Sequence, residues 1–325
     1  MQNNKAEVNA QKIIDKYFLT RPQQYSLREI INAEGLAYRE TLLTGCDGSI
    51  VFTKDTGVVT VNSNIIEPTQ KNFTAAHELG HFENEREALT PPPPEAGRLA
   101  STFSARGGHA KGEEQNLTFG PSPFRQRRIY SGEGRNRESK GEEQNREGVL
   151  KQEVSRVYNC STDDLFSFKI NKRREDEANV FASELLMYKP WFHVFTGSRT
   201  INFELIKETA DYFNVSLTAA ILRYAAIGKC PIAVILSCNG EKKWSFISDR
   251  FPYKWIEKGY KVRNESAAHY FFKGKETPPE ANLTPAFAWF SGDVKCRRDV
   301  YFYEQNVVMK SYNSVLTMLW ESEWK

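Results

Sequence analysis

Residues 73–83 read FTAAHELGHFE, and this stretch decides the fold: two histidines stand four residues apart, with a glutamate directly after the first. On a helix, residues four apart lie on one face, so His77 and His81 can direct two ring nitrogens at one point. That spacing suits a zinc ion, which binds histidine nitrogens at about 2.0–2.1 Å. Glu78 lies beside the first histidine, where a carboxylate can accept a proton from water. The alternative is an amphipathic helix with two surface histidines.

A catalytic zinc ion needs a third protein ligand, and the sequence around the first two does not supply an obvious one. Glu85 lies one turn beyond His81 on the same helix, and one helix cannot wrap around an ion. The remaining histidines do not continue the motif at close spacing; they are His109, His193 and His269. The third ligand is therefore expected on another element.

Residues 173–188, RREDEANVFASELLMY, carry apolar residues at helical spacing and predict a second amphipathic helix. Glu175 and Asn179 lie one turn apart on one face of it. Glu177 points about 160° away from Glu175, so both cannot reach one ion. The residues alone leave the choice between Glu175 and Glu177 open.

Composition excludes several classes of protein. With 40% hydrophobic residues the chain can bury a core, and a net charge of +3 does not favour a protein that coats a polyanion. No apolar run of membrane-spanning length occurs, and the polar N-terminus lacks the core of a signal peptide. The five cysteines form no CxxC pair, so a disulfide framework is not expected. These features predict a cytoplasmic location, while the oligomeric state stays open.

The chain is expected to be α+β, with a mainly helical zincin-like core, a small antiparallel sheet, a helix-turn-helix-like segment and a β-rich C-terminal domain. The first 45 residues indicate helices, and GSIVFTKDTGVVTVN (48–62) predicts a hairpin before the HExxH helix. Five segments follow from the pattern. They are the first half of the core (1–90), an insertion (91–150), the second half (151–200), the helix-turn-helix-like segment (201–229) and an α/β C-terminal domain (230–325), which is a candidate sensory domain.

The predicted insertion differs in composition from the rest. It begins PPPP, is poor in aliphatic residues and contains KGEEQN twice, at 111–116 and 140–145. Such a segment buries too little apolar surface to offset its ordering entropy, so we expect a disordered, low-complexity insertion. A regulatory or protease-sensitive linker is the alternative. His109 lies in it and is assigned no role.

Residues 203–228 predict two short helices around FNVS, an arrangement similar to a helix-turn-helix. The segment has only Lys207 and Arg223 as basic residues, against Glu204, Glu208 and Asp211. A helix that docks on duplex DNA normally carries more positive charge. Direct DNA binding is therefore not expected, and a structural helix pair or a protein-docking surface is favoured.

Two stretches resemble the ImmA/IrrE-type metallopeptidases: NFTAAHELGHF (72–82), preceded by the strand VVTVN, and EDEANVFASELLM (175–187). In that family the first glutamate of the second motif is the zinc ligand. The resemblance therefore assigns the metal to His77, His81 and Glu175, and the role of general base to Glu78. Asn179 matches the family's asparagine, for which we expect a bracing role beside the site.

The resemblance implies a zinc-dependent endopeptidase that cleaves a helix-turn-helix repressor in a stress-response or mobile-element switch. Such sites are expected to contain an oxyanion-stabilising side chain, for which Tyr188 and Tyr224 are candidates. The alternative function is a non-proteolytic DNA-binding or toxin–antitoxin-type regulator with a vestigial metal site. The intact set of site residues argues against it.

Overall fold

The structure, a computed structural model, describes residues 5–86, 156–160 and 172–321, with the backbone alone at 156–160 and at 172. The predicted insertion at 91–150, and His109 with it, lie outside the described residues. The described part is α+β, with nine helices and two sheets. Among its helices, none is long and apolar enough to cross a membrane.

The chain begins with two helices, α1 (Lys5–Lys16) and α2 (Leu27–Ala33). Ser26 and Glu29 form a capping box that starts α2, because each side chain bonds to the other's backbone N–H. Gly35, at φ 85°, then turns the chain into an extended conformation. Strand β1 (Leu36–Thr41) follows, then β2 (Gly48–Phe52), β3 (Gly57–Asn62) and the long helix α3 (Pro68–Glu85).

The first sheet contains these three strands and β4 (Arg156–Cys160), in the order β1-β3-β2-β4. The predicted hairpin is present as β2 and β3, which pair antiparallel from Gly48↔Val61 to Phe52↔Gly57. Two expectations were wrong: residues 36–41 are a strand and not a helix, and the sheet is mixed and not antiparallel, because β1 runs parallel to β3. The partner of β1 lies some twenty residues further along the chain, so local pattern does not reveal the pairing.

Helix α4 (Lys172–Leu186) packs across α3 and α1 and completes the first core. The crossing with α3 is close at Gly80, where an added Cβ would lie 3.1 Å from the carbonyl oxygen of Ala178. A residue without a side chain therefore brings the two helices together at the level of the histidines. Buried residues of both helices, with those of the sheet, form this core; they include Ile50, Val59, Leu79, Phe82, Phe181 and Ala182.

Three helices lead from α4 into the second sheet: α5 (Lys189–Thr196), α6 (Phe203–Phe213) and α7 (Leu217–Ile227). Asn202 and Ser216 cap α6 and α7, and Asn214 takes the left-handed conformation between them. The helices predicted around FNVS are thus present. Their packing partners are Phe192 of α5 and the second sheet.

The C-terminal part of the chain forms five strands and two short helices. Their bounds are β5 (Ile232–Cys238), β6 (Glu241–Ile247), α8 (Ala268–Phe272), β7 (Asn282–Pro285), α9 (Phe287–Phe290), β8 (Tyr301–Met309) and β9 (Ser314–Glu321). The strands make an antiparallel sheet in the order β6-β5-β9-β8-β7. Strand β5 is buried on both faces, with Ile232 and Val234 in one core and Ala233 and Ile235 in another. Helices α8 and α9 contribute to that second core.

Candidate metal centre

Helix α3 carries the histidine motif into the interior of the first core. Pro68 occupies its first turn, where the missing N–H costs no hydrogen bond, and the helix then continues without interruption to Glu85. His77, Glu78 and His81 are buried. A surface helix with two incidental histidines would leave their rings in solvent, so that alternative does not describe this helix.

Three ligating atoms converge between α3 and α4. His77 Nε2 lies 3.0 Å from Glu175 Oε2 and 3.1 Å from His81 Nε2, and His81 Nε2 lies 3.6 Å from Glu175 Oε2. A tetrahedral ion with bonds of about 2.0–2.1 Å separates its ligand atoms by about 3.3 Å. The triangle of His77, His81 and Glu175 therefore has the size that such an ion requires, and these residues could hold a metal.

Asn179 fixes the orientation of the first histidine. Its Oδ1 lies 2.9 Å from His77 Nδ1, on the side of the ring opposite the converging atoms. Because the amide oxygen can only accept, this contact suits a proton on His77 Nδ1, and Nε2 is the ring nitrogen that faces Glu175 and His81. Metal-binding histidines are commonly oriented in this way by a partner on the other ring nitrogen.

The electrostatics of the group favour a positive charge at its centre. Burial lowers the pKa of His77, but the hydrogen bond with Glu175 and the negative charges of Glu78 and Glu175 together raise that pKa above its ordinary value. Burial dominates at His81 and lowers its pKa. Burial would raise the pKa of Glu175, yet its hydrogen bonds with both histidines hold that pKa far below the usual range. A carboxylate and two imidazoles that share one point suit a cation.

The other acidic candidates, Glu177 and Glu85, pair with arginines of α4. Glu177 pairs with Arg173 one turn away, at 2.9 Å, on the outer side of α4. Glu85 lies 3.3 Å from Arg174 Nε, at the end of α3. The carboxylate that joins the two histidines in a group able to hold a metal is that of Glu175, while the charge of Glu85 acts on His81 from one turn further along α3.

Glu78 lies inside the protein beside the metal group, against the start of strand β2. Its side chain is fully buried, and a Cβ built on Gly48 would lie 2.4 Å from Glu78 Oε1. Cys46 is close by: burial raises the pKa of its thiol, and the charges of Glu78 and Asp47 raise it further. Sequence reasoning overlooked Gly48, although a glycine at the head of a strand is a signal of close approach.

The two tyrosines considered for oxyanion stabilisation lie away from this group. Tyr224 is buried in the core around Phe192 and α6, where burial raises its pKa to about 12. Tyr188 follows the C-terminal end of α4 and packs against Trp191. Glu175 is in the first turn of that helix, so about 16 Å of helix separates the two ends. The oxyanion-stabilising side chain therefore stays unassigned.

Comparison with known families agrees with the geometry. Residues 35–116 match the model of the Peptidase_M78 family, described as the IrrE N-terminal-like domain. The resemblance to ImmA/IrrE-type metallopeptidases is confirmed over this stretch, which includes His77, Glu78 and His81. The match ends before Glu175, whose place in the group depends on the packing of α4 against α3.

No curated protein matches the chain. Among solved structures, one described as a Mycobacterium tuberculosis transcriptional regulator aligns with 97% of this chain and 74% of its own, at 11% identity and a TM-score of 0.47. A likeness at that level supports no conclusion about fold or function.

Proposed function

We propose that this chain is a cytoplasmic zinc-dependent endopeptidase, with the metal held by His77, His81 and Glu175 and with Glu78 as general base. The observation that carries the proposal is the convergence of three atoms that can bind a metal, from two helices, at 3.0–3.6 Å. A metal ion at this point would bind all three atoms at once. The donor set, two imidazole nitrogens and one carboxylate oxygen, is that of several catalytic zinc sites.

The chain's own residues supply the rest of the chemistry. When bound, zinc acts as a Lewis acid towards the scissile carbonyl and increases the acidity of water. Glu78 follows His77 directly and lies within one helical turn of His81, so its carboxylate can take the proton of the attacking water and return it to the departing amide nitrogen. Asn179 holds the His77 ring in the tautomer that leaves Nε2 free to bind.

The proposed substrate is a helix-turn-helix repressor, as the resemblance to ImmA/IrrE-type proteins implies. The segment of α6 and α7 supports a role other than direct DNA binding. Of its two basic residues, Arg223 is buried in an ion pair with Glu184, and Lys207 lies 3.9 Å from Glu204. Neither presents an isolated positive charge to a phosphate backbone.

The test compares two carboxylates in the purified full-length protein. Glu78→Gln is expected to retain about one zinc ion per chain and to lower repressor cleavage by about 10²–10⁴-fold, because the amide cannot accept the proton. Glu177→Gln is the matched control, since that carboxylate pairs with Arg173 on the outer side of α4. It is expected to leave zinc content and cleavage unchanged. Absence of zinc from gently purified wild-type protein, or full cleavage by Glu78→Gln, would refute the proposal.

A further inference from the structure

We propose that Gly48 is a positioning residue for Glu78: the missing side chain at the head of β2 provides the space that the Glu78 carboxylate occupies beside the metal group. The inference rests on the proposed function, in which Glu78 is the general base. It concerns a residue outside the metal ligands and outside the HExxH motif. Strand β2 therefore contributes to the site by leaving space, since Gly48 has no side chain.

The contact geometry around Gly48 leaves no room for a methyl group. A Cβ at this position would lie 2.4 Å from Glu78 Oε1, 3.1 Å from Glu78 Cδ and 2.6 Å from Thr74 Cγ2. Thr74 and Glu78 are one turn apart on α3, so the strand lies directly against one face of the catalytic helix. Distances of 2.4 and 2.6 Å are well inside ordinary van der Waals contact at about 3.5–4.0 Å.

Space, and not backbone conformation, requires glycine here. The backbone of Gly48 is outside the left-handed region, unlike that of Gly35 or Gly45. Any residue could adopt its φ and ψ, and it pairs regularly with Val61 across the hairpin. A substitution by alanine therefore tests the contact with Glu78 and Thr74 without adding backbone strain.

The strand cannot easily move away from the helix, because Asn62 holds the chain just before Gly48. The Asn62 backbone N–H donates to Asp47 O at 2.8 Å, and its Nδ2 donates to Cys46 O at 2.8 Å and to Leu43 O at 3.0 Å. Asn62 itself belongs to β3, in the centre of the sheet. Since the strand start is held and Glu78 is fully buried, an added methyl group must displace the carboxylate.

Gly57 offers a matched control at the other end of the same hairpin. A Cβ there would lie 2.6 Å from Phe52 Cβ, 2.6 Å from Val51 O and 2.9 Å from Leu36 Cδ2. The crowding is comparable, but its partners belong to the sheet and none belongs to the catalytic helix. Gly57 pairs with Phe52, the last residue of β2, about 13 Å of strand from Gly48.

The first experiment measures zinc content and cleavage of a helix-turn-helix repressor by full-length protein. Gly48→Ala is expected to retain zinc and to lower kcat towards the level of Glu78→Gln, about 10²–10⁴-fold, with little change in KM. Gly57→Ala is expected to lower thermal stability but to retain kcat per zinc-loaded molecule. If wild type and Gly48→Ala cleave equally, the inference fails while the proposed function stands.

A second experiment detects the contact of residue 48 with Glu78 and Thr74 through protein stability and requires no activity. The melting temperature of the zinc-loaded protein is measured for Gly48→Ala alone and in the Glu78→Ala background, where one of the two clashing side chains is absent. The loss caused by Gly48→Ala is expected to be smaller in that background, and smaller again with Thr74→Ser. Equal losses in all backgrounds would overturn the inference even if the protein cleaves nothing.

If the Gly48→Ala variant alone is found unfolded, recovery of folding on addition of Glu78→Ala or Thr74→Ser shows the same coupling. If neither second substitution recovers folding, the inference is overturned.

Discussion

Helix α4 takes part in two buried charged clusters, and they are built on opposite principles. In its first turn, Glu175 meets His77 and His81, and three atoms that can bind a metal face one another. Near its other end, Glu184 meets Arg223 of α7 in an ion pair in which both side chains are less than a tenth exposed. Arg223 also donates to the Met187 carbonyl, and the Lys189 N–H donates to Glu184.

The difference teaches how to separate a candidate binding site from a structural contact inside one protein. The Glu184–Arg223 pair contains its own counter-charge and its own donors, so it needs no ligand. The group at Glu175 has a carboxylate oxygen and two imidazole nitrogens directed at a common point, an arrangement that could hold a metal. Burial of ionisable residues is common to both clusters and does not indicate which of them binds a ligand. The two differ because only the Glu184 carboxylate is paired with a permanently charged side chain, that of Arg223.

The largest effect is expected from removal of a metal ligand. His81→Ala leaves His77 and Glu175 as an incomplete ligand pair, so zinc should fall from about one ion per chain to near zero after dialysis, and peptidase activity should fall to background. Atomic absorption measures the zinc content, and a cleavage assay measures the peptidase activity. His193→Ala, which changes an exposed histidine on α5, is the control and should retain both. Full zinc content in His81→Ala would contradict the assignment of His81 as a metal ligand.

A smaller but still large effect is expected at the other end of α4. Glu184→Ala leaves the Arg223 guanidinium buried without its carboxylate and should lower the free energy of unfolding by about 3–5 kcal/mol. The double variant Glu184→Met with Arg223→Met should lose much less, because no charge is left buried. Urea unfolding measures both. Zinc per folded molecule should stay unchanged; its loss in Glu184→Ala would show that the two clusters are not independent.

Asn179 should have an intermediate effect on the metal group itself. Asn179→Ala removes the acceptor at His77 Nδ1 and should weaken zinc binding by about 10–100-fold, since the ring is no longer held in one orientation. Asn179→Asp keeps an oxygen at the same place and should lose less. Competition with a chromophoric chelator measures the affinity. Equal affinity of Asn179→Ala and wild type would remove Asn179 from the site.

The smallest effect concerns a third cluster, in which a buried carboxylate meets partly exposed partners of opposite charge. Glu34 accepts hydrogen bonds from Lys16, Tyr17 and Arg86 at 2.7–2.9 Å. Burial raises the pKa of Glu34, but these partners outweigh it and hold that pKa below its ordinary value of 4.5. The stabilisation is therefore fully present above about pH 4.5 and is lost as pH falls through the lowered value.

Glu34→Gln should accordingly be less stable than wild type at pH 7, and the difference should shrink as the pH falls below 4.5. Chemical denaturation of the two metal-free proteins, repeated from pH 7 to below pH 4.5, measures the difference in their free energies of unfolding. The metal-free form is chosen so that proton competition at the ligands does not enter the comparison. A difference that grows at low pH would show that the Glu34 carboxylate is not stabilised by its partners.

Several parts of this architecture can be read from local pattern. The four-residue spacing of His77 and His81 predicts a common helical face, and the alternation of residues 48–62 predicts the hairpin. The helices around FNVS follow from their caps and apolar spacing. In each case the information lies within one or two turns of chain, where backbone geometry links spacing to direction.

Other parts depend on contacts between distant segments. Strand β1 was missed because its hydrogen-bond partner β3 lies beyond an intervening strand. Residues alone could not choose between Glu175 and Glu177, since both lie on the same helix. The resemblance to ImmA/IrrE-type proteins favoured Glu175, and the choice became visible in the structure because α4 crosses α3 closely at Gly80 and turns that face to the histidines.

The sequence by itself predicted a candidate metal site: two imidazoles at helical spacing, a carboxylate beside them, and a second acidic helix able to complete the ligand set. Only the tertiary structure brings the Glu175 carboxylate against the imidazoles, places Asn179 at His77 Nδ1 and packs Gly48 against Glu78. The physical reason is that spacing along a helix is set by bonded geometry, whereas the approach of two helices and a strand is set by packing at near-solid density.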